Sequence, residues 1–271
     1  MKEDRLRITL NAVAEHAARY RQSAGDRPHR PEQGYAAMRA AFDAPLPEHG
    51  APIGAVISEL TALAEPGLAN MIGPRFFGWV IGASAPAGMA ADWLVSAWGQ
   101  NTGNAEATPA SSACEELTGR WLLELLGLPE QASVGFVTGA TMANFTCLAA
   151  ARGAVLRRAG WEVEQDGLFG APPIHVVIGA EAHSTIFSGL RYLGLGAARI
   201  VSVAADEQGR MRADAFAEAI APLQGPIIAI AQAGHINSGA FDPFEQIAAI
   251  AREKGAWLHI DGAFGLWARI A

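Results

Sequence analysis

The stretch PIIAIAQA at residues 226–233 decides the fold class, because it is apolar at consecutive positions. A strand that is apolar on both faces is typical of a parallel sheet buried between layers of helices. Short β-rich runs alternate with helical patterns on either side of it. The predicted strands cover residues 133–138, 174–180, 199–203, 226–233 and 256–261, and a helix is expected after each of the first four. The alternation predicts an α/β fold with a mostly parallel sheet and helices on both faces.

The helix after PIIAIAQA carries clear end signals. Asp242 is a suitable N-cap, Pro243 suits the first helical position, and Gly255 can end the helix in a left-handed conformation. Lys254 then falls in the last turn, where a cation interacts favourably with the helix dipole. We therefore expect its ammonium group to remain in water, away from any site.

The chain before residue 130 is organised differently, with helical patterns separated by loops rich in Pro and Gly. We expect a helical N-terminal segment at residues 1–85, lying at a dimer interface, and a large ligand-binding domain at residues 86–271. The stretch at 76–95 has the length of a membrane span, but Pro86, Asp92 and its many small residues favour a buried or interface segment. No membrane association is therefore expected.

Composition narrows the class of partner. The 271 residues are 51% hydrophobic, enough for a large core, and the formal net charge is −7 without a long basic run. Such a chain gives no electrostatic reason to bind nucleic acid, so a small-molecule ligand is the better expectation. Two cysteines are too few for a disulfide framework and fit a reduced, cytoplasmic setting.

One candidate anion site lies in FVTGATMANF at residues 136–145. Gly139 allows a tight turn after the predicted strand, and Thr141 opens a helix whose free backbone N–H groups bind anions such as phosphate. The Thr141 hydroxyl can add a further bond. An ordinary helix start without a ligand is the alternative interpretation.

Three further polar residues follow predicted strands. His183 could stack on a flat ligand ring, or it could simply cap the following helix. Asn237 and Ser238 follow the buried strand, where contact with a ligand and a plain turn role are both consistent with the pattern.

Asp261 ends the apolar run AWLHID and carries the strongest signal. A carboxylate close to an apolar strand requires a partner, and a protonated pyridine nitrogen would serve. A cap or turn role is the alternative. His259 and Asp261 lack a third ligand at suitable spacing, so no metal is expected. Together with the anion site, Asp261 suggests that the ligand is pyridoxal 5'-phosphate.

Four motifs then match a known family in order: TGATMAN, HSTIFSGL, NSGAFDPF and WLHIDGAFG, at residues 138–144, 183–190, 237–244 and 257–265. They resemble the group II pyridoxal phosphate-dependent decarboxylases, and the likeness runs from about residue 70 to the end. The resemblance implies the large domain of an aspartate aminotransferase-like, fold type I enzyme. It also implies a homodimeric carboxy-lyase that removes the α-carboxylate of an L-amino acid.

The resemblance assigns roles to particular residues. Ala140 and Thr141 would hold the cofactor phosphate, and His183 would stack on the ring. Asp261 would pair with the ring nitrogen, Ala263 would pack beneath the ring, and Asn237 would lie near the phosphate and ring. At the position where the family carries a substrate-positioning histidine, this sequence has Gly73.

The larger departure concerns lysine. The sequence contains only Lys2 and Lys254, whereas the family's cofactor-binding lysine is expected some tens of residues beyond Asp261. We therefore expect a partial decarboxylase with little or no turnover. The alternatives are a catalytically silent cofactor-binding or dimerising fragment, and another enzyme of the same fold, such as an aldolase or an aminotransferase.

Overall fold

A computed structural model describes residues 2–79, 81–263 and 265–270. The chain divides into two compact units, Met1–Gly99 and Gln100–Ala271. The division therefore follows the helix at Pro86–Trp98, which the expected boundary between residues 85 and 86 would have assigned to the second segment. The roles assigned to the two segments remain predictions.

The first unit is helical. Its described residues form four α-helices, α1 (Lys2–Gln22), α2 (Tyr35–Phe42), α3 (Ile53–Ala64) and α4 (Pro86–Trp98). Of its described side chains, only Ala24 and Asn70 are buried. Asn70 Nδ2 donates to the carbonyl oxygen of Ala24 at 2.7 Å and to that of Arg27 at 3.2 Å. These bonds join two loops where little apolar packing is available.

Most residues of the segment 76–95 are exposed in the single chain, whereas Phe76, Gly78 and Met89 are partly buried, and Val80 lies outside the described residues. The side chains of Phe77 and Trp79 are largely exposed, and those of Leu94 and Val95 on α4 are about half exposed. The expected buried or interface position of this segment stays a prediction. None of the described helices is both long and apolar enough to cross a membrane.

The second unit contains six helices and four strands within the described residues. The helices are α5 (Pro109–Leu125), α6 (Ala140–Arg158), α7 (Val163–Asp166), α8 (Ser184–Tyr192), α9 (Ala213–Ile220) and α10 (Phe244–Glu253). The strands are β1 (His175–Gly179), β2 (Ile200–Val203), β3 (Ile227–Gln232) and β4 (Trp257–Asp261). Short 3-10 segments lie at Ser23–Gly25, Glu65–Gly67, Ala197–Arg199 and Gly265–Ile270 along the whole chain.

The sheet has the order β2-β1-β3-β4, and all its strand pairs are parallel. Strand β3 is central and buried over its first five residues. Its Ile228 and Ile230 pack in a cluster with α6 and α8, whereas Ala229 and Ala231 pack in a second cluster with α9 and α10. The predicted parallel sheet with helices on both faces is confirmed.

The predicted strand at residues 133–138 is wrong, because this segment is irregular. It pairs with none of the described strands, and Phe136 and Val137 are about half exposed. An apolar run becomes a strand only where a neighbour completes its hydrogen-bond ladder, and this condition cannot be read from the run itself.

The start of α10 also differs from the prediction. Pro243 occupies the N-cap position without a side-chain cap, whereas Asp242 is buried and accepts hydrogen bonds from the N–H groups of Met211 and Gln232, both at 2.8 Å. The predicted end of the helix is confirmed, since Gly255 has φ 63°. Lys254 is partly buried rather than fully solvated, and its Nζ donates to the carbonyl oxygen of Ala221.

Candidate functional site

The carboxyl ends of β1, β3 and β4 border one cavity in the second unit. Four polar residues line it: Glu181 after β1, Gln232 at the end of β3, Asp242 before α10, and Asp261 at the end of β4. Its other lining residues are Gly179, Ala182, Ile186, Gly209, Met211, Ile230 and Ala231. Ligands bind at this edge of open α/β sheets, so this cavity is the candidate ligand site.

Asp261 is the buried acid of this edge, with 7% of its surface exposed. Its Oδ2 accepts a hydrogen bond from Asn144 Nδ2 at 3.2 Å, and its Oδ1 accepts one from the N–H of Ala263 at 3.1 Å. Two carboxylate oxygens offer about four acceptor positions. The described residues therefore leave acceptor capacity for another donor.

Asn144 connects Asp261 to His259. The Nε2 atom of His259 lies 2.9 Å from Asn144 Oδ1, and all three residues are buried. Burial lowers the pKa of His259 below its ordinary value, and the nearby charge of Asp261 offsets part of that effect. His259 is thereby favoured in its neutral form.

Sequence reasoning missed Asn144, although a signal was present. Leu148, Ala151 and Val155 form the buried stripe of α6, and Asn144 lies one turn before Leu148 on the same stripe. A polar residue on the inward face of an amphipathic helix requires a buried partner. The identity of that partner could not be read from the sequence.

The N-terminus of α6 has the features of an anion site. Gly139 precedes the helix with φ 153° and ψ 174°, a conformation open to glycine, and provides no side-chain cap. The first intrahelical bond runs from the N–H of Ala143 to the Gly139 carbonyl. Within the described residues, the N–H groups of Ala140 and Thr141 have no protein acceptor.

His183 is exposed and caps α8. Its Nδ1 accepts from the N–H of Thr185 at 3.3 Å and lies 2.9 Å from the Thr185 hydroxyl. Its backbone N–H donates to Gln232 Oε1 at 3.2 Å, which connects it to the end of β3. The capping alternative is therefore present in the structure, and stacking on a ring stays a prediction.

Asn237 and Ser238 lie in the exposed turn after β3. The N–H of Asn237 donates to His235 Nδ1 at 3.3 Å, and the Ser238 hydroxyl donates to the Gln208 carbonyl at 2.6 Å. Both therefore have turn roles, while ligand contact by Asn237 stays a prediction. His235 is buried and escaped the sequence reasoning.

Asp242 lines the same cavity, but both of its carboxylate oxygens already accept hydrogen bonds from the backbone. Burial raises the pKa of its carboxyl group, and its two backbone hydrogen bonds offset part of that rise. These bonds connect the loop before α9 to the end of β3. We assign Asp242 a structural role.

Gly73 belongs to the first unit and is closely packed. A Cβ atom built on it would lie 2.6 Å from Asn70 Nδ2 and 3.0 Å from the Ala24 carbonyl oxygen. A histidine at this position would therefore displace the Asn70 side chain and its hydrogen bonds. Among the described residues, no group of three His, Cys, Asp or Glu side chains could hold a metal ion.

Comparison with known proteins gives one decisive finding. Residues 36–270 match the model of the pyridoxal-dependent decarboxylase conserved domain, which is most of the chain. The chain belongs to the pyridoxal-dependent decarboxylase family.

Individual relatives agree with this family. The chain is 32% identical to L-2,4-diaminobutyrate decarboxylase of Rhizobium meliloti over 228 residues, covering 82% of this chain and 43% of the relative. It is 28% identical to tryptophan decarboxylase 1 of Oryza sativa subsp. japonica over 286 residues, covering 97% of this chain and 54% of the relative. The chain thus spans about half the length of the curated relatives that it matches.

A solved structure extends the likeness to three dimensions. The crystal structure of Oryza sativa TDC with PLP and tryptamine superposes with a TM-score of 0.88 at 26% identity, covering 99% of this chain and 56% of that one. The predicted fold type I assignment is confirmed by this match. The parallel sheet of the second unit is therefore the sheet of a fold type I large domain.

Proposed function

We propose that this chain binds pyridoxal 5'-phosphate non-covalently and contributes this binding site to an amino acid decarboxylase. The observation that carries the proposal is the buried carboxylate of Asp261 at the carboxyl end of β4. Its Oδ1 and Oδ2 each accept one hydrogen bond from the protein and retain capacity for a protonated ring nitrogen. A buried carboxylate is stabilised by such a cationic partner.

We propose contacts for the phosphate and the two faces of the ring as well. We assign the phosphate to the free N–H groups of Ala140 and Thr141, where a helix N-terminus favours negative charge. His183 would cover one face of the ring and Ala263 the other. Asn237 would lie near the phosphate and ring.

The chemistry follows from these contacts. When bound, the cofactor supplies an electron-withdrawing pyridinium ring that accepts electrons from the α-carbon of an amino acid. The carboxylate of Asp261 keeps the ring nitrogen protonated, because an opposite charge in a buried site favours the charged form. Family membership supports loss of the α-carboxylate from an L-amino acid as the reaction.

A second candidate function is cofactor binding without turnover, and the lysines favour it for this chain alone. Lys254 Nζ is bonded to the Ala221 carbonyl near the end of α10, and Lys2 begins α1. Lys254 does not line the cavity beside Asp261. We therefore expect a catalytic lysine to come from outside these 271 residues.

The proposal includes a homodimer and a cytoplasmic location. The dimer would use residues 1–85 and the adjacent helix α4, whose exposed apolar side chains require cover. The cytoplasmic location rests on the low cysteine content.

Binding of the cofactor is tested by equilibrium dialysis with pyridoxal 5'-phosphate. Asp261→Asn retains the shape of the side chain but removes its charge, so we expect affinity to fall by about tenfold or more. Asp166→Ala, which removes an exposed carboxylate from the same unit, is the matched control. Equal affinities of wild type and Asp261→Asn would refute the role given to Asp261.

Covalent attachment is tested by borohydride reduction of the mixture followed by peptide mapping. We expect no lysine to be labelled stoichiometrically, since Lys254 is held at a helix end. Lys254→Arg is the control. A single stoichiometric label on Lys254 would refute non-covalent binding.

The reaction class is tested by joining the chain to the lysine-bearing C-terminal half of a relative. Headspace carbon dioxide and amine product are measured with acidic, aromatic and basic L-amino acids. We expect carbon dioxide release, and we expect Asp261→Ala to abolish it. Formation of keto acid alone would refute the decarboxylase assignment.

A further inference from the structure

We infer that Asn144 is a positioning residue of this site, which orients the carboxylate of Asp261 and fixes the tautomer of His259. The inference rests on the proposed function, because its purpose is to direct Asp261 towards a ring nitrogen. Asn144 itself contacts no reacting atom, and it would act through Asp261.

The two hydrogen bonds of Asn144 define how its side-chain amide is oriented. A carboxylate only accepts, so the amide nitrogen of Asn144 must face Asp261 Oδ2, where it lies at 3.2 Å. The carbonyl oxygen of Asn144 then faces His259 Nε2 at 2.9 Å. Because this oxygen only accepts, Nε2 must carry a proton.

The remaining ring nitrogen of His259 indicates its charge. Among the described residues, no hydrogen bond involves His259 Nδ1, and 7% of the residue is exposed. A positive charge on this buried ring would lose most of its hydration, which disfavours the imidazolium. His259 is therefore neutral, with its proton on Nε2, and the charge of Asp261 remains available for a ligand.

Asn144 also relates Asp261 to the phosphate site. It lies four residues, about one helical turn, after Ala140 at the start of α6. The bond between Asn144 and Asp261 thus fixes α6 against the end of β4. The distance between the free N–H groups and the carboxylate is set by a helix and a strand, which are more rigid than loops.

A substitution that removes both bonds should disturb orientation and tautomer together. Asn144→Leu keeps a similar branched shape without polar atoms, and Thr146→Ala changes an exposed residue on the same helix as a control. Asn144→Asp is isosteric and exchanges the amide for a second acid, so it serves if Asn144→Leu does not fold. The NMR signals of His259 are identified by their loss in the variant His259→Gln.

Two measurements are made on each full chain. Nitrogen-15 NMR of the histidine rings gives the tautomer of His259 without any ligand. Equilibrium dialysis with 4'-deoxypyridoxine 5'-phosphate gives the affinity for a cofactor analogue that has no aldehyde and cannot react with lysine. The first readout is independent of the proposed function.

We expect wild-type His259 to be neutral with the proton on Nε2, and we expect Asn144→Leu to lose this fixed tautomer. The analogue should bind Asn144→Leu at least about tenfold more weakly, while Thr146→Ala stays within about twofold of wild type. In Asn144→Asp, His259 should become protonated on both nitrogens near neutral pH, because a second carboxylate favours the cation.

Three results would overturn the inference. These are an Nδ1-protonated His259 in wild type, a folded Asn144→Leu with unchanged affinity, and an Asn144→Asp whose His259 remains neutral. Failure of the proposed function has a different signature, since wild type itself would then not bind the analogue, and the inference would fail with it.

Discussion

The two compact units achieve burial to very different extents. In Met1–Gly99 only Ala24 and Asn70 are buried among the described side chains, whereas Gln100–Ala271 contains two apolar clusters on opposite faces of a parallel sheet. The helices of both units have apolar residues, but in the part of the chain that the structure describes only the second unit has a sheet that provides the opposing surface. The second unit therefore contains its own core, and the first exposes apolar surface that another surface could cover.

The largest effect on stability is expected from one of two leucine-to-alanine substitutions, one in each unit. Leu148→Ala removes a fully buried side chain of the second unit, which should cost about 2–5 kcal/mol in free energy of unfolding. Leu94→Ala alters a half-exposed residue of the first unit and should cost about 0.5 kcal/mol or less in the monomer. Chemical denaturation at low protein concentration measures both, and similar costs would contradict the contrast.

A smaller effect is expected from added methyl groups. A Cβ on Gly265 would collide with the carbonyl of Ala233, which is backbone and cannot move aside easily. We expect Gly265→Ala to lower the free energy of unfolding by about 1–3 kcal/mol. Gly54→Ala in α3 meets no atom within 4 Å and should be neutral or slightly stabilising. Thermal denaturation measures the stability of both variants. A Gly265→Ala variant as stable as wild type would contradict the expectation.

Association sharpens the interpretation of the first unit. Leu94→Glu places a charge on the half-exposed face of α4, so it should weaken self-association by about tenfold or more. Phe169→Glu changes a 99% exposed residue of the second unit and is the control. Light scattering across a dilution series measures both. A wild-type chain that is monomeric throughout would contradict the dimer proposal.

The smallest expected effect is a pH dependence confined to the second unit. The pKa of His259 is lowered by burial, so between its folded pKa and about 6.5 the unfolded chain binds more protons. His259 therefore makes stability decrease as pH falls through this window. His259→Gln keeps a donor for Asn144, and its stability should change less between pH 7.5 and 5.5. An identical pH dependence in both proteins would contradict the neutral buried state.

The sequence predicted the elements that depend on local pattern. The buried strand at Ile227–Gln232 and the positions of α6 and α8 follow from periodicity and helix-end signals. The irregular segment at 133–138 was mispredicted because its apolar residues find no ladder partner. The wrong cap at Asp242 has a similar cause, since its two acceptors bind N–H groups from distant parts of the chain.

The candidate site was predictable to the same limit. Asp261 could be singled out because a carboxylate at the end of an apolar strand requires a partner. Asn144, which is 117 positions away in sequence, could not be joined to it without the packing of α6 against β4. Single residues with unusual chemistry are visible in a sequence, whereas the hydrogen bonds between them depend on the tertiary fold.

The hydrogen bonds of Asp242 should limit how often the cavity wall opens to solvent. Gly209 and Met211 form part of the cavity wall, and Asp242 holds the amide protons of Met211 and Gln232 on one carboxylate. Any outward swing of this wall must break the bond to Met211 and expose a buried acid. Deuterium uptake at these two amides should therefore be slow and correlated, reporting how often solvent enters the cavity.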